Sequence, residues 1–263
     1  MPIASVRDIE INYRLEGDGA ETIVLVNGLA DDLETWAPQM SDLLAAGYRV
    51  LRFDNRGIGA TSKPAGPYSS RMLADDAKAL VDALGITDFH LLGVSMGGMI
   101  AQEFTLQYPQ RVRSLILGCT NAGGPHAVRA AAEVLQLLMR QGMTPEEAKE
   151  AIIPYIYDPA TPRARIDEDM AIRMKWYPTP QGYLGQLQGI LAWEAYSRIA
   201  QIKAPTLIIH GETDQLIPVA NAKLIAERMP HAQLVLIPHA SHIFETDQPA
   251  IANRAITEFL SAQ

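Results

Sequence analysis

The sequence predicts an α/β protein with a mostly parallel central sheet, helices on both faces of the sheet, and a helical cap inserted between two strands. Three observations predict this fold class. Short apolar runs alternate with helical periods from residue 23 onwards, the alternation stops over residues 127–198, and it resumes at residue 205. Strands and helices that alternate at this spacing are typical of right-handed crossovers, which join parallel strands.

Four strands are predicted in the first half of the chain. Residues 23–26 are all apolar and mostly β-branched, as is typical of a strand covered on both faces. The next strands are predicted at residues 48–53, 89–94 and 112–117. Apolar residues recur at helical spacing between these strands, which predicts three helices. The three helices are predicted at residues 36–44, 72–84 and 96–108.

The second half of the chain begins with the insertion. Residues 127–198 contain helical stretches, six prolines and no convincing strand. After the insertion the alternation returns, with strands at residues 205–209 and 234–237, a helix at 219–229, and a last helix ending near residue 260.

The insertion has a natural place in such a fold. Ligands bind a parallel sheet at the carboxyl ends of its strands, so we expect the inserted helices to cover that edge. This expectation divides the chain into an α/β core of residues 1–121 and 199–263 and a helical cap of residues 122–198.

The composition indicates an ordinary globular protein and argues against several partners. Of the 263 residues, 48% are hydrophobic and 20% are charged, and the formal net charge is −8. No block rich in lysine or arginine occurs, so we expect neither nucleic acid nor a membrane surface as a partner, and a homodimer is left open. The single cysteine, Cys119, excludes an intrachain disulfide, and the first residues do not resemble a secretory signal. We therefore expect a cytoplasmic protein.

A serine at position 95 lies in the motif G-x-S-x-G, which occupies residues 93–97. The motif stands between a predicted strand and a predicted helix, where it forms a sharp turn that exposes the serine hydroxyl. The free N–H groups at the start of the helix then favour an oxyanion beside the hydroxyl. A glycine-rich turn without chemistry is the alternative, and the strand–helix context argues against it. We predict that Ser95 is a nucleophile.

The serine needs a base, because its hydroxyl is a poor nucleophile at neutral pH. In the fold that carries this turn, an acid and then a histidine follow the nucleophile, each after a later strand. His242 lies just past the last predicted strand and is the predicted base, with His239 as its main competitor. His210 ends an earlier strand beside a glycine, where packing or loop bracing is the expected role. The remaining histidines are His90, His126 and His231.

The acid should follow the strand before the last one. The loop after residues 205–209 offers two carboxylates, Glu212 and Asp214. Asp214 is favoured because it lies further from the strand and just before the next helix. A solvated loop acid or a helix N-cap is the alternative role. The corresponding position one strand earlier, residues 119–121, has no carboxylate, which strengthens the prediction of Asp214.

These motifs together resemble the α/β-hydrolase superfamily, in particular its small bacterial ester, lactone and carbon–carbon hydrolases with a helical cap. The resemblance covers nearly the whole chain outside the cap. Residues 95–102 resemble most closely 3-oxoadipate enol-lactonases and related esterases. The segments similar to the oxyanion loop, the D-x-R-G-x-G turn, the nucleophile elbow, the acid loop and the histidine loop are residues 26–29, 53–59, 93–98, 211–214 and 239–249.

The resemblance implies the α/β-hydrolase fold and roles for further residues. The catalytic histidine of the superfamily falls on His242, and the implied oxyanion donors are the backbone N–H groups of Leu29 and Met96. The superfamily usually has His-Gly where this chain has Asn27 and Gly28. An asparagine can also brace the loop by hydrogen bonding, so we expect activity to be retained.

Substrate selection should depend on the cap, which is rich in methionine and aromatic residues that could serve either a core or an apolar pocket. The predicted pocket residues are Asn27, Gly28, Trp176, Trp193 and Ile243. Four cap cations could bind a substrate carboxylate, although a solvated surface is their more common role. These cations are Arg163, Arg165, Arg173 and Lys175. All predicted reacting groups lie outside the cap, so we expect it to set chain-length preference without contributing to the chemistry.

The predicted function is acyl transfer. The triad Ser95, His242 and Asp214 would hydrolyse a small or medium carboxylic ester or lactone through an acyl-enzyme, without a metal or organic cofactor. A carbon–carbon hydrolase of ring-cleavage dienone acids is one alternative, since it would use the same triad. A non-catalytic small-molecule receptor on the same fold is the other.

Overall fold

Eight strands form one sheet in the part of the chain that the computed structural model describes, residues 2–139 and 142–263. The strands are β1 (Ile3–Val6), β2 (Ile9–Glu16), β3 (Thr22–Val26), β4 (Arg49–Phe53), β5 (Phe89–Val94), β6 (Val112–Gly118), β7 (Thr206–Gly211) and β8 (Gln233–Ile237). Their order across the sheet is β1-β2-β4-β3-β5-β6-β7-β8. The pairs β1–β2 and β2–β4 are antiparallel and all other neighbours are parallel, which confirms the predicted mostly parallel sheet.

The helices of the described residues lie between these strands and in the insertion. They are α1 (Ala37–Ala45), α2 (Ser70–Ala83), α3 (Met96–Gln107), α4 (Ala132–Leu138), α5 (Pro145–Ile156), α6 (Arg163–Met174), α7 (Pro180–Leu191), α8 (Ala220–Arg228), α9 (Phe244–Asp247) and α10 (Pro249–Ser261). Helices α4 to α7 fall in the segment assigned to the cap. The two ends of that segment meet where the N–H of Ala195 donates to the carbonyl oxygen of Ala122 at 2.8 Å. Among the described helices, none is long and apolar enough to cross a bilayer.

The parallel strands are apolar on both faces because each face is covered by helices. In β3, Val24 and Val26 belong to a hydrophobic cluster that includes buried residues of α2, α3 and α8. Ile23 and Leu25, which point the other way, belong to a second cluster with residues of α1 and α10. Full burial of such a side chain is worth about 1.5–3 kcal/mol, so the two clusters hold the helices against the sheet. The loops that carry the site follow the carboxyl ends of the strands, at the edge of the sheet that these helices do not cover.

The two N-terminal strands are absent from the predicted elements. In β2, apolar residues occupy every second position from Ile9 to Leu15, which is the period of a half-buried strand. Ile9 and Ile11 are buried, whereas Glu10 between them is exposed. This alternation is the signal for β2, and it differs from the fully apolar pattern of the central strands on which the prediction was based.

Candidate active site

The turn between β5 and α3 holds Ser95 in a backbone conformation that most residues avoid. Ser95 has φ 55° and ψ −121°, and positive φ is uncommon outside glycine. The flanking glycines permit the turn. A Cβ atom at Gly93 would lie 2.2 Å from the carbonyl oxygen of Gly97, and one at Gly97 would lie 2.0 Å from that of Val26. The strain at Ser95 is of the kind that occurs at functional sites.

Hydrogen bonds on both sides of the strained residue keep it in place. The N–H of Ser95 donates to the carbonyl oxygen of Gly118 at 2.9 Å, and the carbonyl oxygen of Ser95 accepts from Thr120 Oγ1 at 2.7 Å. Met96 begins α3, so its N–H is one of the first four in the helix, which have no acceptor within the helix. That N–H and the helix dipole can therefore stabilise a negatively charged oxygen beside Ser95.

The loop after β3 runs beside the serine. It extends the segment that resembles the oxyanion loop, residues 26–29, as far as residue 32, and from here on the name oxyanion loop refers to residues 27–32. A Cβ atom at Gly28 would lie 3.4 Å from the Cβ of Ser95, so the two segments approach closely. Asn27 is buried and braces the loop from inside, because its amide donates to a backbone carbonyl of the loop at 3.2 Å. Leu29, the residue after Gly28, carries the N–H that is the predicted second oxyanion donor.

Asp214 and His242 meet between the loops that follow β7 and β8. Asp214 Oδ2 lies 2.8 Å from His242 Nδ1. Both residues are buried, whereas their competitors in the sequence, Glu212 and His239, are exposed. Because Nδ1 faces a carboxylate, it carries a proton, and Nε2 is the ring nitrogen that can act as a base.

Two groups approach each carboxylate oxygen of Asp214. Oδ1 accepts from the backbone N–H groups of Leu216 and Ile217 at 2.9 and 2.8 Å. Oδ2 lies 3.1 Å from Nε2 of His210 as well as near His242. His210 Nε2 also donates to the carbonyl oxygen of Ile217 at 2.8 Å. His210 thus has the bracing contact expected from the sequence, but its contact with the acid was not predicted.

The surroundings of the pair favour an ionised acid and a protonated histidine. Burial raises the pKa of Asp214, but the charge on His242 and the hydrogen bonds from both histidines outweigh it and lower the pKa to about 2. Burial acts in the opposite direction on His242, where the Asp214 carboxylate outweighs it and raises the pKa. Asp214 is therefore ionised at neutral pH. His242 needs a higher pH than a free imidazole to become a neutral base.

A charged cluster of Asp31, Asp169, Arg173 and Glu245 adjoins the pair, with Asp169 and Glu245 buried and Asp31 and Arg173 partly exposed. Arg173 Nη1 lies 2.7 Å from Asp31 Oδ1, and Arg173 Nε lies 2.9 Å from Asp169 Oδ2. Glu245 Oε2 has no hydrogen-bond partner among the residues that the structure describes. Burial raises the pKa of Glu245 to about 7, against the opposing charge of Arg173. Asp169 and Arg173 lie one turn apart on α6, whereas Asp31 and Glu245 come from two other segments of the chain, and no sequence motif joins the three segments.

The predicted pocket residues of the cap and the histidine loop lie in different surroundings. Trp193 is buried in the hydrophobic cluster that contains α3, and its indole N–H donates to Glu103 Oε2 at 3.1 Å. Trp176 is 40% exposed. Ile243, next to His242, is buried against residues of α5 and α6. Trp193 thus has the contacts of a core residue, whereas Ile243 lies between the histidine loop and the cap.

Comparison with known proteins finds relatives that match nearly the whole chain. A family model described as alpha/beta hydrolase fold matches residues 21–245. The putative carbamate hydrolase RutD of Azorhizobium caulinodans is 31% identical, over 98% of this chain and 98% of the relative. The 3-oxoadipate enol-lactonase 2 of Acinetobacter baylyi is 29% identical, over 96% of this chain and 93% of the relative.

Solved structures give the same result. The enol-lactonase from Burkholderia xenovorans has a TM-score of 0.86 at 28% identity, over 99% of this chain and 100% of the other. A thermophilic esterase from Thermogutta terrifontis has a TM-score of 0.86 at 25% identity, over 100% and 99% of the two chains. These matches confirm the resemblance to α/β hydrolases, and to enol-lactonases and esterases among them.

Proposed function

The chain belongs to the family with the α/β hydrolase fold, and we propose that it is a serine hydrolase of small or medium carboxylic esters or lactones that carry no charge. One observation carries the proposal. The buried Asp214–His242 pair, joined at 2.8 Å, lies at the same carboxyl edge of the sheet as the strained Ser95. An acid, a histidine with one free ring nitrogen, and a serine at a helix start are the groups that acyl transfer requires.

In the proposed reaction, His242 Nε2 takes the proton of the Ser95 hydroxyl while the serine oxygen attacks the substrate carbonyl. The carbonyl oxygen becomes an oxyanion that the N–H groups of Leu29 and Met96 stabilise. The protonated His242 then gives its proton to the leaving alcohol, which departs. A water molecule, activated by the same nitrogen, hydrolyses the acyl-enzyme and restores Ser95. Throughout, Asp214 holds the imidazole in one tautomer and stabilises its cation.

The charges near the site support an uncharged substrate. Among the four cap cations considered for a substrate carboxylate, Arg173 is already paired with two carboxylates. Arg163 is exposed and pairs with Glu150 and an aspartate on its own helix. Arg165 donates to backbone carbonyl oxygens, at 3.1 Å for that of Asp247. Lys175, the fourth of these cations, is exposed.

The same region holds more carboxylates than cations. The charged cluster contributes the carboxylates of Asp31 and Asp169, a third carboxyl on Glu245 whose pKa is raised to about 7, and one guanidinium. Asp214 adds a further carboxylate, which His242 balances when its ring is protonated. A carboxylate on the substrate would meet this excess of negative charge at short range, where like charges repel strongly in a partly buried site. The proposal therefore favours neutral esters and lactones over dienone acids and other anionic substrates.

A carbamate is the second candidate. The observation that favours it is the 31% identity to a putative carbamate hydrolase over 98% of both chains. The carbonyl of a carbamate is attacked as an ester carbonyl is, and the same residues would serve. A carbamate carries more electron density at its carbonyl and reacts more slowly with a nucleophile, so relative rates on matched compounds distinguish the two.

A panel of matched substrates tests the proposal. It comprises nitrophenyl butanoate, mono-nitrophenyl succinate, a small neutral lactone, a nitrophenyl carbamate and a ring-cleavage dienone acid, with rates normalised to hydroxide-catalysed hydrolysis. Butanoate and succinate esters match in acyl length and differ in a terminal carboxylate. We expect the butanoate to have the higher kcat/KM by at least about tenfold, as repulsion between charges a few ångströms apart in such a site requires.

Other outcomes would redirect or overturn the proposal. Faster turnover of the succinate ester or the dienone acid would contradict the uncharged substrate. No turnover of any member, together with no reaction of Ser95 with a fluorophosphonate, would favour a non-catalytic receptor. The variant Glu245→Gln, which removes one carboxylate from the cluster, should raise the succinate rate relative to the butanoate rate.

A further inference from the structure

A glutamine of the cap reaches the oxyanion loop and bonds to its backbone. Gln186, on α7, is completely buried. Its Oε1 accepts from the N–H of Ala30 at 3.1 Å, and its Nε2 donates to the carbonyl oxygen of Arg56 at 3.0 Å. One partner can only donate and the other can only accept, so the orientation of the side-chain amide is fixed. Ala30 directly follows Leu29, the implied oxyanion donor.

The close approach of α7 to the core is what allows a glutamine to make this contact. A Cβ atom at Gly182 would lie 2.0 Å from the carbonyl oxygen of Gly57, and one at Gly185 would lie 2.7 Å from the ring of Tyr68. The backbone of the helix therefore packs directly against the core. Gln186 directly follows Gly185, so the backbone from which its side chain extends is held in place. A side chain held in this way can position a loop.

A second cap helix contacts the next residue of the same loop. Arg173, on α6, pairs with Asp31 through Nη1 at 2.7 Å, and Asp169 of the same helix holds the other side of the guanidinium at 2.9 Å. Consecutive residues of the oxyanion loop, Ala30 and Asp31, are thus held by two different helices of the cap.

The backbone of the loop shows why it needs such contacts. Ala30 has φ 70°, a left-handed conformation that alanine adopts only at a cost in energy. On the core side, Asn55 Nδ2 donates to the carbonyl oxygen of Asn27 at 3.2 Å, so the start of the loop is fixed there. Leu29 lies between the part of the loop held by the core and the part held by the cap.

We infer that Gln186 is a positioning residue for the oxyanion donor Leu29, and that Arg173 supports it through Asp31. The inference rests on the proposed serine hydrolase function. An oxyanion donor acts only when it lies within about 2.7–3.1 Å of the developing charge, so a shift of the loop weakens the transition state more than the bound substrate. The cap then contributes to the rate of the chemistry, contrary to the expectation from the sequence that it sets chain-length preference alone.

The test compares two glutamines on one helix. Gln186→Met keeps the length of the side chain and removes both hydrogen bonds. Gln188→Met makes the same chemical change two residues further on, at an exposed position. For each variant we would measure the rate at which a fluorophosphonate labels Ser95, the inhibition constant of butylboronic acid, kcat and KM for nitrophenyl butanoate, and the Tm. The boronate and the phosphonate both place an oxygen at the oxyanion position, whereas KM reports mainly on the bound substrate.

Loss of a whole oxyanion donor costs about a hundredfold to a thousandfold in kcat, so loss of its support should cost less. We expect Gln186→Met to lower kcat and the labelling rate by roughly tenfold to a hundredfold and to weaken the boronate by a similar factor, with KM within about threefold. Gln188→Met should leave kcat, KM, the labelling rate and the boronate inhibition constant unchanged. A fall in Tm with unchanged labelling, boronate binding and kcat would overturn the inference, because it would show a purely structural contact.

Two further results keep the inference separate from the proposed function. If wild-type protein fails to label at Ser95, with Ser95→Ala as the blank, the proposed function is wrong. If wild type labels and Gln186→Met labels equally fast, the inference alone is wrong. Should Gln186→Met not fold, Asp31→Asn removes the charge of the second contact and keeps its shape. We expect Asp31→Asn to label about threefold to tenfold more slowly than wild type, which is a fraction of the effect of losing an oxyanion donor. An unchanged labelling rate would contradict the inference.

Discussion

The carboxyl edge of the sheet and the cap both contact the site, but they hold their groups by different means. At the sheet edge, the backbone positions the reacting groups: a strained turn presents Ser95, and two backbone N–H groups hold Asp214. The cap reaches the site through long side chains, Gln186 to the backbone of Ala30 and Arg173 to a loop carboxylate. Groups of the first kind are set by local sequence, and groups of the second kind are set by how helices pack.

This difference leads to an ordering of effects. Changes at the sheet edge should remove the reaction, whereas changes in the cap should alter its rate or selectivity by smaller factors.

The two histidines of one loop give the sharpest contrast at the sheet edge. His242→Ala removes the ring that contacts Asp214 and that takes the Ser95 proton in the proposed reaction, so we expect kcat to fall by roughly a million-fold. His239→Ala changes an exposed residue that is three positions away, and we expect activity within about threefold of wild type, as for surface changes in general. Steady-state rates and Tm values of both variants check this. If His239→Ala were the inactive variant, the assignment of the base would be wrong.

The two carboxylates of the acid loop form a second pair. Asp214→Asn should lower kcat by about ten-thousand-fold, because an amide favours the wrong tautomer of the imidazole. Glu212→Gln, on the exposed side of the same loop, should have little effect. The measurement is kcat for nitrophenyl butanoate, with circular dichroism to confirm folding. The reverse ranking would transfer the acid role to Glu212.

The two tryptophans compare the core-facing and the exposed parts of the cap. Trp193→Ala removes a buried ring and its bond to Glu103, so we expect it to lower the free energy of unfolding by about 3–5 kcal/mol. Trp176→Ala should leave stability nearly unchanged and shift the preferred ester toward longer acyl chains, with short-ester turnover within about tenfold. Chemical denaturation and a series of acyl chain lengths measure both effects. If the chain-length ranking does not change in Trp176→Ala, this tryptophan is not part of the pocket.

The smallest expected effect is a shift of the pH profile. The Glu245 carboxylate helps to raise the pKa of His242, whose neutral form is the base. Removing that charge in Glu245→Gln should lower the pKa of His242, so the fall of kcat/KM on acidification should move to lower pH. Glu212→Gln serves as the control and should leave the profile in place. An unchanged or higher pKa in Glu245→Gln would show that the charged cluster does not act on the base.

Much of the sheet edge can be predicted from the sequence, because its determinants are local. The central strands are fully apolar since both of their faces are covered, and the G-x-S-x-G turn needs glycine where a Cβ atom would meet a carbonyl oxygen. Asp214 differs from Glu212 in its position along one loop, and that position decides which carboxylate is buried.

The cap is less predictable, because helical spacing does not reveal what each face contacts. Trp193 is a large aromatic residue of the kind that can line a pocket. It lies where the chain returns from the cap to the core, next to the β-bridge between Gly123 and Glu194. The sequence offers Arg173 as a cation for a substrate, but it pairs with Asp169 one turn away on its own helix and with Asp31 from the distant oxyanion loop. Contacts of this kind depend on the packing of distant segments, which no single-sequence pattern records.

The role of Ser95 as the nucleophile of an acyl-enzyme is central to the proposed function, and a trapping experiment tests it most directly. Wild-type protein would be mixed with nitrophenyl acetate, quenched in acid before the steady state, digested and analysed by mass spectrometry, with Ser95→Ala treated in parallel. We expect a burst of about one nitrophenolate per chain and an acetyl group on the peptide that contains Ser95. We expect neither signal in Ser95→Ala. Steady hydrolysis by wild type with no acetylated peptide, or equal hydrolysis by Ser95→Ala, would contradict this role of Ser95.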